Sequence, residues 1–344
     1  MLLTRIEASG FRNLEGAVEF GPGLNIFYGD NAQGKTNWLE AIYLLANTKS
    51  FRTGQVRECI TFDSPPSILR GDVSRGSVKK QLQLLLTESS KELFVNGKRE
   101  ALVRYITNLD VFVFSLEEME VIRGEPAQRR RFIDRGVVTI KPGFLSTLAE
   151  YNRVVRQKNR LLAEASESSD PGSYYSQIDA WNDQLVDLGA TIHDARLEYV
   201  GLLNRVLEEN DHGRAIFGAE RITARYQSQL EGKGDLGRYR ELFRERLTLR
   251  MAAETAAGHC LIGPHRDDLR LMLNGKSAAQ FGSEGQKRTL AIALKMAQAE
   301  YLTGTHGAPP ILLIDDIMGE LDLKRRIKES QTMRRNCIWN ITRA

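Results

Sequence analysis

The eight residues GDNAQGKT at positions 29–36 constrain the fold of this chain more than any other feature. They follow a short apolar run, Leu24, Ile26 and Phe27, and precede Leu39, Ile42, Leu45 and Ala46, whose spacing of three and four is that of a helix face. Strand, glycine turn, helix is the setting that a phosphate-binding loop requires. Gly29 and Gly34 permit backbone angles that aim successive N–H groups across Asp30, Asn31, Ala32 and Gln33 at an anion, and the helix start adds its dipole. In the GxxxxGKT pattern Lys35 reaches the β- and γ-phosphates of ATP, and Thr36 offers its hydroxyl to Mg²⁺. A plain strand-to-helix turn is the competing reading. The string arises by chance in about one chain of this length in a hundred, and the flanking elements weigh further against chance.

Such a loop needs a carboxylate for Mg²⁺ at the end of a neighbouring buried strand. The run Ile311 to Ile314 followed by Asp315 and Asp316 provides it, because two acids closing an apolar strand make poor core. Asp315 takes the metal-holding Walker B role and Asp316 polarises the attacking water as general base, although spacing alone does not fix which acid does which. Further upstream, Ser283, Gly285 and Gln286 open a helix carrying Leu290, Ala293, Leu294 and Ala297. Ser283 and Gln286 fit a capping box, which by itself accounts for them. Their position about 25 residues before the Walker B strand, counted on the sequence, favours a second role: the signature motif of ABC ATPases, whose exposed helix start touches a γ-phosphate.

The rest of the chain frames these motifs. At 344 residues it can bury a large core without a metal or disulfide staple. Cys59, Cys260 and Cys337 form no CxxC and fit a reducing cytosol, and with no long apolar span or signal peptide the protein is expected in the cytoplasm, away from membranes. Residues 68–114 have strand character with an Asn96-Gly97 turn. Between 144 and 207 two helical stripes flank the break AEASESSDPGS, which predicts an antiparallel helical hairpin inserted into an α/β chain.

In these motifs the chain resembles the RecF family of DNA repair ATPases, relatives of SMC proteins within the ABC group. GDNAQGKTNWLEAIYLL is similar to its Walker A segment, EPAQRRRFID at 125–134 to its arginine-rich segment, and IGPHRDDL at 262–269 to its most distinctive string. SEGQKRTLAIALKMA and LLIDDIMGELD are similar to its signature, Walker B and D-loop, so that the likeness runs in family order from residue 1 to 323. It implies an α/β fold: an ABC/SMC-type P-loop ATPase head with mixed β-sheets around the P-loop helix, and an inserted helical-hairpin arm. The expected divisions are 1–122 (head, with Walker A), 123–215 (arm) and 216–344 (head, with signature, Walker B and D-loop).

The resemblance also implies an ATP-dependent homodimer in which Lys35 and Thr36 of one copy and Ser283 and Gly285 of the other hold one ATP. It implies binding to double-stranded DNA and to single-strand gaps or junctions, and action with RecO and RecR in loading RecA. Asp316 is shorter than the Glu usual in ABC transporters, which predicts slow hydrolysis. A transporter subunit and a small-molecule kinase are rival readings; the helical arm argues against the first and the SEGQ helix against the second.

Three further features carry expectations. Arg123, Arg129, Arg130, Arg131, Arg135, Lys141, Arg153, Arg156, Lys158 and Arg160 form a cationic stretch suited either to DNA phosphates or to ion pairs along a solvated helix. His265, Arg266, Asp267 and Asp268 suggest an ion-pair cluster rather than a metal site, since only one His is present. After the D-loop, KRRIKESQTMRRNCIWNITRA has a poor apolar stripe where the ABC fold needs a helix and a strand ending in a switch residue, for which Thr342 stands. That divergence predicts, as an alternative, an ATP-binding scaffold without efficient hydrolysis.

Overall fold

The computed structural model describes residues 1–61, 66–115, 119–209 and 221–315, together with the strand at 337–342. The described chain divides into two compact units, one formed by Met1–Ile122, Val206–Ile222 and Ala278–Ala344, the other by Arg123–Arg205 and Thr223–Ser277.

In the first unit, β1 (Leu2–Phe11), β2 (Leu14–Glu19), β4 (Ser67–Arg75), β5 (Val78–Leu86), β6 (Lys91–Val95) and β7 (Lys98–Arg99) make an antiparallel sheet in the order β2-β1-β4-β5-β6-β7. The other sheet is parallel, with β3 (Asn25–Gly29), β13 (Cys337–Thr342), β12 (Ile311–Asp315) and β8 (Val111–Phe114) in that order. Helix α1 (Lys35–Asn47) packs against strands of both sheets. This is why its apolar residues are not confined to the expected stripe: Ala41, Tyr43 and Leu44 are buried along with Leu39, Ile42 and Leu45. Two short helices, α2 (Leu102–Tyr105) and α3 (Glu120–Arg123), flank β8 in sequence.

The apolar run at 311–314 is buried on both faces, as a parallel strand should be. Side chains alternate, so Ile311 and Leu313 join the α1 core, whereas Leu312 and Ile314 join a second cluster with Phe114, Ile292 and Ala299. After α8 (Ala278–Phe281), α9 (Glu284–His306) supplies Ile292 and Ala299. The divergent end of the chain contributes β13, the parallel strand between β12 and β3, with Leu312 opposite Cys337 and Gly29 opposite Thr342. The strand that the fold requires is therefore present despite the weak pattern.

The second unit holds α4 (Pro126–Ile140), α5 (Phe144–Glu167), α6 (Tyr175–Glu209) as far as Arg205, α7 (Tyr239–Ala257) and the small sheet β11-β10-β9, formed by Lys276–Ser277, Asp268–Leu273 and, from Thr223 onward, Ile222–Gln227. Helices α5 and α6 are the two predicted from periodicity, with the break falling at 168–174. The predicted return to the head at residue 216 needs correction. Residues Thr223–Ser277 belong with the helices, because α7 packs along α5 and β10 against α4. Helix α7 has its own stripe, Tyr239, Leu242, Phe243 and Leu247, and ends at Gly258 with φ 68°. Among the described residues, no helix is long and apolar enough to cross a membrane.

Candidate functional site

Strand β3 ends at Gly29 and the chain turns back into α1 through two left-handed residues, Ala32 (φ 65°) and Gly34 (φ 84°). At Gly34 a side chain is disfavoured by the positive φ, and a Cβ there would lie 2.8 Å from Leu14 Cδ2, which would have to shift. Gly34, at the N-cap of α1, makes no side-chain cap, and a helix start draws an anion through its amides and dipole. Asp30, Asn31, Ala32 and Gln33 are exposed around this opening.

Lys35 is only 9% exposed. Its ammonium donates to the carbonyls of Gly29 at 2.8 Å and Asp30 at 2.6 Å, which holds the side chain over the loop and leaves a third proton for a phosphate oxygen. Thr36 Oγ1 donates to Asp315 Oδ1 at 2.9 Å across 279 positions of sequence. The two motifs thus meet where the sequence placed them, a hydroxyl and a carboxylate side by side. This all-oxygen donor set is of the hard kind that Mg²⁺ takes. Asp316 and the D-loop lie outside the described residues.

Ser283 caps α9: its Oγ accepts from the Gln286 N–H at 3.2 Å, and Gln286 Oε1 accepts from the Ser283 N–H at 2.8 Å. The capping box and the signature role are compatible. Oγ acts as acceptor in the cap, so its own proton can still donate outward, and Ser283, Glu284 and Gly285 are exposed.

Sequence reasoning missed the support behind the loop. Glu40, fully buried on α1 one turn beyond Thr36, accepts from Arg12, Ser50 and Arg52. Burial opposes its charge, but the hydrogen bonds from Arg12 and Ser50 and the charges of Arg12 and Arg52 outweigh burial and hold the carboxyl below its usual range. Nothing in local spacing marks this residue, since its partners come from positions 12, 50 and 52.

The cationic stretch of the second unit is mixed: Lys158 is buried and Arg129 and Arg130 are half-buried, whereas Arg123, Arg131, Arg135, Lys141, Arg153, Arg156 and Arg160 are exposed. Arg129 forks onto Asp268 at 2.6 and 3.0 Å, and Arg130 donates to the Asp267 carbonyl at 2.8 Å. Lys158 is fully buried on Glu254 at 2.5 Å. Lys141 pairs with Glu198, Arg153 with Glu150 and Arg160 with Glu164. Ion pairing describes Arg129, Lys141, Arg153, Lys158 and Arg160.

The IGPHRDDL segment is the other half of the same network. Asp267 accepts from Tyr226 and from the Gln229 N–H, and Tyr151 Oη meets His265 Nδ1 at 2.7 Å. Burial keeps the His265 imidazole neutral, pulling its pKa down to about 4, and does the same to His193. Among the described residues no group of three or more His, Cys, Asp and Glu side chains is arranged to hold a metal.

The sequence pattern of the family described as RecF/RecN/SMC N terminal domain matches residues 2–337. The chain is similar to the DNA replication and repair protein RecF of Ligilactobacillus salivarius, with 38% identity over 331 residues covering 95% of this chain and 86% of the relative. It is similar to RecF of Streptococcus uberis at 38% identity, covering 97% and 90%. Among solved structures, that of the recombination mediator protein RecF-ATP in the RecFOR pathway aligns with a TM-score of 0.90 at 29% identity, covering 99% of this chain and 92% of the other. The Smc head domain of Pyrococcus furiosus aligns over 99% of this chain and 89% of its own at a TM-score of 0.53 and 12% identity, a likeness of fold alone. An ABC-type head built around this P-loop, with a likeness running nearly end to end, places the chain in one group: it belongs to the RecF family.

Proposed function

We propose that this chain is an ATP-dependent DNA-binding protein of recombinational repair and replication. The observation that carries the reading is the hydrogen bond from Thr36 to Asp315, which joins the phosphate loop to the acidic strand end in the geometry a nucleotide–Mg²⁺ site needs. Gly29, Asp30, Asn31, Ala32, Gln33 and Gly34 offer backbone N–H groups to the phosphates, and Lys35 adds its charge. Thr36 and Asp315 would hold Mg²⁺, which when bound neutralises charge on the phosphates. Asp316 takes the role of general base for a slow hydrolysis.

Ser283, Gly285 and Gln286 sit at an exposed helix start, and on this reading they complete the phosphate site of a second copy. ATP then acts as part of a dimer interface, and hydrolysis releases it. The names borne by the relatives support action on DNA, with RecO and RecR as partners. Gapped or junction DNA and the loading of RecA belong to the same proposal.

Sizing the protein with Mg²⁺ and a non-hydrolysable ATP analogue tests this. The expected result is a dimer for the wild type and a monomer for Lys35→Ala and Ser283→Ala. A wild type that binds the analogue but stays monomeric would defeat the dimer.

A further inference from the structure

The turn between β1 and β2 lies against the back of the phosphate loop. Arg12 is left-handed, with φ 53°, a conformation that a residue with a branched, bulky environment adopts only when its surroundings hold it there. The restraint is visible. Its Nε and Nη2 donate to Glu40 at 3.1 and 2.9 Å, its Nη1 to the Glu58 carbonyl at 2.8 Å and its backbone N–H to the Cys59 carbonyl at 2.7 Å. Its own carbonyl accepts from Thr61 Oγ1 at 2.6 Å.

This setting determines where the next two residues point. Asn13 Nδ2 donates to the carbonyl of Ala32 at 3.4 Å, and Asn13 Oδ1 accepts from Asn37 on α1 at 2.6 Å. Leu14 Cδ2 and Asn13 Oδ1 lie 2.8 and 3.1 Å from the place a Cβ on Gly34 would take. The turn therefore touches the loop at its two left-handed bends, Ala32 and Gly34.

We propose that the turn Arg12 to Leu14 is a brace that holds the phosphate loop in its binding shape, with Asn13 as the positioning residue and Glu40 as its buried anchor. The proposal rests on the reading of residues 29–36 as a nucleotide site. A loop already in shape gives up little conformational freedom when ligand arrives, and that freedom otherwise subtracts from affinity. Asn13 is exposed and reaches only the loop carbonyl and Asn37, so its removal should loosen the loop without disturbing the core.

The test is titration calorimetry of the full chain with a non-hydrolysable ATP analogue and Mg²⁺, beside thermal unfolding of the nucleotide-free protein and ATPase kinetics. Asn13→Ala should raise Kd about fivefold, in keeping with the loss of one net hydrogen bond. It should raise KM by a similar factor with kcat unchanged, and leave the nucleotide-free melting temperature within about 2 °C of wild type. Arg12→Lys keeps a cation against Glu40 but loses the fork, and should shift Kd in the same direction. If Asn13→Ala binds as wild type does while Lys35→Ala has lost affinity, the brace is overturned and the nucleotide site stands. A rise in Kd accompanied by a melting temperature lower by clearly more than about 2 °C would make Asn13 merely structural and also overturn it. A wild type that does not bind the analogue would sink the underlying reading itself.

Discussion

The phosphate loop of the first unit and the ion-pair network of the second handle charge in opposite ways. In the first, Lys35 is fixed by two loop carbonyls yet keeps a donor in hand, and the start of α1 has no side-chain cap. In the second, cations are matched to anions inside the fold: Lys158 with Glu254, Arg129 with Asp268 and Arg196 with Asp134. A run of Arg and Lys in sequence therefore does not separate buried partners such as Lys158 from exposed cations such as Arg131 and Arg156. What marks a site is a charged group held rigidly with hydrogen-bonding capacity left over.

The contrast can be broken most forcefully at Glu254. Glu254→Ala leaves the Lys158 ammonium buried without its anion and should remove about 3–5 kcal/mol of stability, whereas Lys158→Met combined with Glu254→Leu should come out close to neutral. Urea denaturation of the three proteins measures both. Lys35→Ala should act the other way round, weakening ATP binding about 10- to 100-fold, or about 1.5–3 kcal/mol, with little change in the unfolding midpoint. Calorimetry that finds full affinity without Lys35 would erase the distinction between the units.

The next effect is a pH dependence carried by two histidines of the second unit. His193 and His265 are held neutral with pKa values of about 4 by burial, below the ~6.5 of an unfolded chain. Between those values the unfolded state binds more protons, so stability is complete above about pH 6.5 and declines as pH falls toward 4. The expected loss by pH 5 is about 2 kcal/mol for each histidine, and His265→Asn should flatten the curve of denaturation midpoint against pH. The smallest effect is at Arg160, whose exposed pair with Glu164 should be worth under about 0.5 kcal/mol. Its removal, like that of Arg129, should leave the salt dependence of affinity for a gapped duplex unchanged in an anisotropy titration. A slope shallower by about one for Arg129→Ala would return that side chain to the DNA surface.

The phosphate loop, the acidic strand end and the Ser283 cap were legible in sequence because each is a local pattern whose spacing dictates its geometry. The two long helices were legible for the same reason. The boundary at 216 failed because membership of a unit depends on packing: α7 belongs with α5 through Lys158 and Glu254, 96 positions apart. Arg129 and Asp268 were both noted as charged, but their pairing spans 139 positions and leaves no periodic trace. Strand β13 looked weak because its context comes from ladders on both sides, to β12 and β3, rather than from its own composition. Glu40 and the Arg12 turn went unread since a buried carboxylate on a helix resembles an exposed one until its partners are known.

The separation of Thr36 from Asp315 also orders events during synthesis. The loop leaves the ribosome early, but its carboxylate partner is 279 residues behind, a delay of roughly 15–60 s at usual elongation rates. Throughout that interval β3 has no parallel neighbour, since β13 is made later still. A nascent chain therefore carries the loop for most of its synthesis without the carboxylate that Thr36 meets in the folded protein.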